Sequence, residues 1–332
     1  MRIKQLFALA IGTALGLAFA APAHAQFPHF AELSAQYSPS AALEDPQPAE
    51  VQVSSYDAAL NLPIPLAEKS YLIPGLAYHV ESVSFADAPP ELDQLRAFHS
   101  ADFNLLFVQL LPNDWSIAFR GSIGLAGDFQ HVDSGLLRWS AMVMATKAIN
   151  EKVTLGGAVL ASWSFGSLLP LPAIYFDWQP NERWQLETFL PAFISFNYRH
   201  AGRLELGVRA EVQGNSYAVR DDRVRGAWPC RAHEDDDPTT PFDETLAQPE
   251  GCLDHIAYSV GMVGLHVGVR LLSSVWITAF GGYTVLRRYE PMNGDDVRIE
   301  GGQQTLPGGY VVRLALQWRL PTNQDAAPEQ AQ

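Results

Sequence analysis

The sequence predicts an all-β protein: an antiparallel transmembrane β-barrel of about twelve strands, with ten to fourteen allowed. Three observations carry that prediction. An export signal opens the chain, apolar and polar residues alternate with period two over segments of about ten residues, and short turns alternate with long polar loops.

The signal comes first. Arg2 and Lys4 precede an uncharged apolar core at residues 6–21, and Ala23-His24-Ala25 supplies the small-x-small pattern that a signal peptidase cuts, here between Ala25 and Gln26. The core is shorter than a membrane-spanning helix requires. No cysteine stands at the cleavage site, which argues against a lipid anchor. Removing residues 1–25 takes away two basic residues and no acid, so the net charge moves from −14 to −16. Such an excess argues against nucleic acid and anionic surfaces as partners, because both repel it.

Residues 26–50 are rich in Ala, Pro, Ser and Glu and are expected to be a flexible periplasmic lead-in, with the barrel at 51–320 and a similar tail at 321–332. Alternation is clearest at the end of the chain. Tyr310, Val312, Leu314, Leu316, Trp318 and Leu320 occupy one face, against Val311, Arg313, Ala315, Gln317 and Arg319 on the other. Residues 204–213 and 115–125 behave alike, each with one apolar face. Eleven residues rising about 3.3 Å each and tilted near 45° climb roughly 26 Å, the height of an outer-membrane apolar band, whereas soluble strands average nearer five or six residues.

Residues 153–176 carry no charge for 24 positions, long enough for a membrane helix. Gly156, Gly157, Gly166, Pro170 and Pro172 interrupt the run, so strand, loop, strand is the better parse. Counting from Tyr71 gives about twelve strands. Residues 51–62 also alternate and are a candidate extra strand, and residues 184–198 parse either as one long strand or as two split at Pro191. Short turns at 112–114, 149–152, 180–183, 200–202 and 272–274 belong in the periplasm, and the longer connections at 87–99, 128–134, 218–254 and 290–306 belong outside. Trp115, Trp178, Trp184, Trp276 and Trp318 lie beside the short turns or the chain end and are expected to form an inner aromatic girdle.

Arg120, Arg138, Arg203, Arg209, Arg270 and Arg313 fall on the less apolar strand faces, with Glu205 and Glu211 beside two of them. They form either an ion-pair ladder that fills a narrow barrel or a charged constriction that selects solutes. An open lumen lined by these arginines would favour anions. Cys230 and Cys252, with 21 residues between them in one polar loop of an exported chain, are expected to form a disulfide that stabilises by roughly 3 kcal/mol. The acids at 234–237, 243 and 244 in that loop have no ordered ligand spacing, so a solvated loop is preferred to a metal site. His266 and Ser259 are the best histidine and serine for a hydrolase, but parity puts them on opposite faces, and no nucleophile elbow or phosphate loop is present. No catalytic residue, cofactor or metal is therefore expected.

Residues 175–191 (YFDWQPNERWQLETFLP), continuing through Tyr198-Arg199 and 204–217, together with Asn150-Glu-Lys-Val-Thr-Leu-Gly156, resemble a family of uncharacterised bacterial outer-membrane barrels of the domain-of-unknown-function type. The resemblance covers about half the chain and implies the barrel and its compartment, with no catalytic residues to carry over. Hydrocarbon-transport barrels share the Asn-Glu-Lys type of turn but have an N-terminal hatch without counterpart here. The expected function is a narrow solute channel for an unidentified solute, or else a non-conducting structural or partner-binding barrel; a hydrolase ranks last. Expected partners are outer-membrane lipid, lipopolysaccharide and the barrel-assembly machinery.

Overall fold

The computed structural model describes residues 29–43, 49–86, 97–162, 169–226, 253–294, 299, 304–305 and 308–319. In chain order its strands are β1 (His29–Leu43), β2 (Ala49–Asn61), β3 (Ile64–Ala67), β4 (Ser70–Ala86), β5 (Ala97–Leu110), β6 (Trp115–Gly127), β7 (Leu137–Asn150), β8 (Val153–Ser162) and β9 (Leu169–Asn181). Then follow β10 (Trp184–Leu190), β11 (Phe193–His200), β12 (Leu204–Ala218), β13 (His255–Arg270), β14 (Val275–Met292), β15 (Gln304–Thr305) and β16 (Tyr310–Arg319). Fourteen of them close a ring of antiparallel neighbours; β3 and β15 are short additions to β4 and β14. The ring shuts where β1 pairs with β16, in register Ala35↔Leu314, and where β13 pairs with β14.

Fourteen is the upper end of the expected range. From β4 onward the wall holds the twelve strands that the count from Tyr71 anticipates, and β1 and β2 are the added pair. β1 corrects the boundary of the lead-in, which was expected to run to residue 50. Its outward positions mix Leu33 and Tyr37 with Ala35, and its inward positions are Glu32, Ser34 and Ser38, so the alternation is muted to a reader looking for bulky apolar residues. Residues 184–198 divide into two strands, β10 and β11, joined at Pro191-Ala192. Residues 153–176 hold β8 and the first part of β9, but Pro170 and Pro172, expected to interrupt the run, lie within β9 and pair with Ala161 and Val159 of β8.

Both described ends lie on the side of the short turns. There Asn113 and Asp114 take left-handed backbone angles (φ 58° and 64°), a conformation that Asn and Asp tolerate and that fits the twist of a tight hairpin. Leu33, Tyr56, Leu76, Phe103, Phe119, Leu265, Leu314 and many like them point outward and are exposed, an exterior that is stable in lipid and not in water. Trp115, Trp178, Trp184 and Trp318 face outward at the short-turn end. Trp276 does not join them: it is buried, facing inward under the Arg319 guanidinium 4.5 Å from its ring. The signal cleavage site (Ala25, Gln26), the acidic loop and both cysteines lie outside the described residues.

The two ends of the barrel differ. Above Glu211, β12 loses its β11 neighbour, and at the top Ala218 pairs with Gly127 of β6 in parallel. Asp128 N–H donates to Ala218 O at 3.0 Å. A Cβ on Gly127 would lie 2.6 Å from that carbonyl oxygen, so the approach requires glycine. β6 and β12 therefore meet over the five strands between them. Val53, Val83, Phe98, Tyr217, Tyr258, Met262 and Phe280 pack inside this upper part, and a second apolar cluster, including Leu106, Met142, Leu160, Tyr175, Phe189 and Phe193, lines the inner face of β5–β11.

Candidate functional site in the lumen

Period-two alternation sends every second side chain of the wall inward, and a charge there is stable only if the lumen provides a partner. At the level nearest the short turns, Arg319 Nη1 donates to Glu205 Oε2 at 3.0 Å, His266 Nε2 lies 3.4 Å from Glu205, and Gln317 donates to Glu32 at 3.3 Å. Higher up, Glu211 receives Arg209 Nε at 2.6 Å, Arg313 Nη2 at 2.8 Å and Gln213 at 3.0 Å. The two guanidinium groups also sit over aromatic rings, Arg209 over Phe193 and Arg313 over Phe280. Above them Arg138 is held by Asp102 and by Asn215, Arg120 donates to Asn104 at 2.8 Å, and Tyr289 donates to Glu81 at 2.9 Å.

Several of these contacts bridge strands that are not neighbours. Arg313 and Arg319 on β16 reach β12 past β14 and β13, Arg138 on β7 reaches β12, and Tyr289 on β14 reaches β4. The lumen is thus tied from wall to wall in tiers. Gly124 makes one tier fit: a Cβ there would meet the Asp102 carboxylate at 2.2 Å.

Of the residues expected in the lumen, Arg120, Arg138, Arg209, Arg313, Glu205 and Glu211 are brought together there. Arg203 is not. It is exposed in the turn before β12, where strand parity does not apply, and its carbonyl accepts from the N–H of Arg270 at the end of β13. Arg270 is half-buried at the rim and not at mid-lumen. Sequence reasoning did not single out Glu32, Glu81, Asp102, Glu187 and Arg287, all buried, or Asp57, whose side chain is 8% exposed, and it set Arg319 on the polar face without counting it among the lumen charges. The same parity that found Arg313 places Arg319 beside it, and Asp102 falls between inward Ser100 and Asn104. Arg138 is paired with Asp102, and Arg209, Arg313 and Arg319 with Glu211 and Glu205, so these four arginines do not line the wall as free positive charges.

The mouth carries a separate polar latch. Arg220 Nε donates to Asp133 at 2.7 Å, its Nη1 to Asp254 at 3.0 Å, and the backbone N–H groups of Arg220 and Asp221 donate to Asp128 at 2.7 and 2.8 Å. The connection between β6 and β7 is thereby fastened to the segments flanking β12 and β13. The Arg220 hydrogen bond holds the Asp133 carboxyl below its ordinary value, and bonds from His255, with the nearby Arg220 charge, do the same for Asp254. Arg220 is itself raised: burial works against its charge, but Asp133 and Asp254 outweigh burial. His266 faces Glu205, with Ser259 seven residues away along β13. Among the described residues no group of three or more His, Cys, Asp or Glu could hold a metal ion.

No curated protein matches the chain. It is similar to an outer-membrane channel (COG4313) from Pseudomonas putida F1 at 11% identity, covering 92% of this chain and 98% of that one with a TM-score of 0.41. A ΔS2S3 mutant of the monoaromatic hydrocarbon channel TodX gives 9% identity, 87% and 89% coverage and a TM-score of 0.36. LpxR from Salmonella typhimurium gives 10% identity, 87% and 99% coverage and a TM-score of 0.35. Residues 21–293 match the family described as "Domain of unknown function (DUF6268)", and the chain belongs to that family.

Proposed function

We propose that the protein is a non-enzymatic outer-membrane barrel whose lumen is closed at rest, so that it acts as a structural or ligand-binding component of the envelope and not as an open porin. The pairing of Arg313, reaching from β16, and of Arg209, from β12 itself, on the single carboxylate of Glu211 supports this reading most directly. An ion crossing that level would have to replace a buried, charge-assisted contact, and truncating one partner of such a pair costs about 3–5 kcal/mol. The apolar cluster inside the upper barrel and the latch at Arg220 support it further. A narrow solute channel, the other reading, needs these contacts to exchange partners before a path exists.

Planar-bilayer recording separates the two. The wild-type protein is expected to show no sustained conductance, and Glu211→Gln, which leaves two arginines facing one neutral side chain, is expected to open intermittently. Stable wild-type channels would overturn the closed-lumen reading.

A further inference from the structure

Seven residues of β10 are too few to cross a bilayer. From Trp184, stacked on Phe196 in the inner girdle, the strand climbs six residues to Leu190. That is roughly 14 Å at 3.3 Å per residue and 45° tilt, about half of an apolar band near 25 Å. The hairpin tip (Leu190, Pro191, Ala192, Phe193, Ile194) holds no polar side chain, with Leu190 and Ile194 exposed outward, as suits a turn that ends inside the hydrocarbon. Among the described residues the wall therefore has a notch above this tip, bounded by β9 and by the stretch of β12 above Glu211.

Its two edges differ in chemistry. Gln179 N–H donates to Lys152 O on the β8 side, so even-numbered residues of β9 direct their backbone groups toward β10. Above Ile174, the last β9 partner of β10, those positions are Pro172 and Pro170, which have no N–H to leave unsatisfied. On the other edge Val212 N–H donates to Ala192 O, and among the described residues no strand lies beside Gly214 and Ser216, whose backbone groups point the same way. Ser216 N–H is taken by the Asn215 side chain at 3.1 Å. Gly214 is thus the polar point of the rim, two residues above the last outward apolar residue, Val212. Behind the notch lie Ala173, Phe189, Ala192 and Phe193 of the inner apolar cluster.

We propose that this notch is a lateral binding site for a single acyl chain from the outer leaflet, its methyl end directed over the hairpin tip toward the inner apolar cluster and its polar head at the Gly214 N–H. Depth decides the occupant: at mid-bilayer the molecules that reach an opening in the wall are acyl chains, and the rim becomes polar only near the interface, where a carboxyl or ester head sits. The inference rests on the membrane placement proposed above and is independent of whether the lumen conducts.

Palmitic acid carrying a terminal diazirine tests it. The full-length barrel, in phosphatidylethanolamine–phosphatidylglycerol vesicles, is irradiated with the probe and the labelled residues are mapped by mass spectrometry. Label is expected on inward Ala173, Phe189, Ala192 or Phe193 as well as on outward residues around the barrel. Val212→Trp, a change on the lipid-facing rim, is expected to abolish the inward label and leave the outward label intact; Ala192→Trp should do the same from within. Label confined to outward residues, or inward label that persists in the folded Val212→Trp protein, overturns the proposal. Absence of outward label would instead count against the membrane placement on which it rests.

Discussion

Leu314 and Arg313 are neighbours on β16 that stand in opposite surroundings, Leu314 56% exposed to the lipid side and Arg313 2% exposed within the lumen. Leu314→Arg is expected to reduce assembly sharply, since arginine at mid-bilayer costs about 2–4 kcal/mol. Arg313→Leu should be milder, because Glu211 keeps Arg209. Yields of the heat-modifiable folded form compare them, and equal yields would mean that the facing is wrong. Glu211→Gln should lower stability more than Arg313→Leu does, because it removes the one carboxylate that two buried guanidinium groups share; urea midpoints of the two variants check the order. Parity made Arg120, Arg138, Arg209 and Arg313 legible from the sequence. It could not pair them, because partners such as Asp102 for Arg138 and Glu205 for Arg319 are set by which strands face each other across the lumen. Arg203 misled because one residue separates the turn from the strand.

The connection between β6 and β12 exists only through a tight approach. Gly127→Val is expected to cost about 1–3 kcal/mol by pushing β6 off Ala218, and to raise protease sensitivity on either side of β12 before the rest of the barrel yields. The latch at the mouth, beyond this approach, responds to acid in a defined sense. Asp133 and Asp254 are depressed below 3.8, so their contribution is present above that value and disappears as pH falls through the lower folded values. Hydrogen exchange of residues 128–136, corrected for its intrinsic rate, should therefore stay protected at pH 4 and lose protection only in stronger acid. At this scale the turns were legible, since Asn113-Asp114 and the other short connections carry their own chemistry. β1 was not, because small and polar residues hide its period; the division of residues 184–198 at Pro191 was one of two parses, and the structure takes the two-strand one.

For the molecule as a whole, a fourteen-strand ring with an apolar exterior should fractionate with the outer membrane, and the mature chain should begin at Gln26 when sequenced from that fraction. Cys230 and Cys252 should resist an impermeant thiol reagent on intact cells until they are reduced. The seam has a consequence in time. His29 pairs with Arg319 and Tyr37 with Val312, so the strand that leaves the ribosome near the beginning finds one of its two neighbours only when nearly the whole chain has been made. Contacts so distant in sequence form slowly. Until then two unsatisfied edges persist, each a template for the wrong partner. A chain that stops before Tyr310 should therefore aggregate or be degraded and not settle into a smaller barrel, and the cell must shelter the first strand for as long as the last takes to arrive.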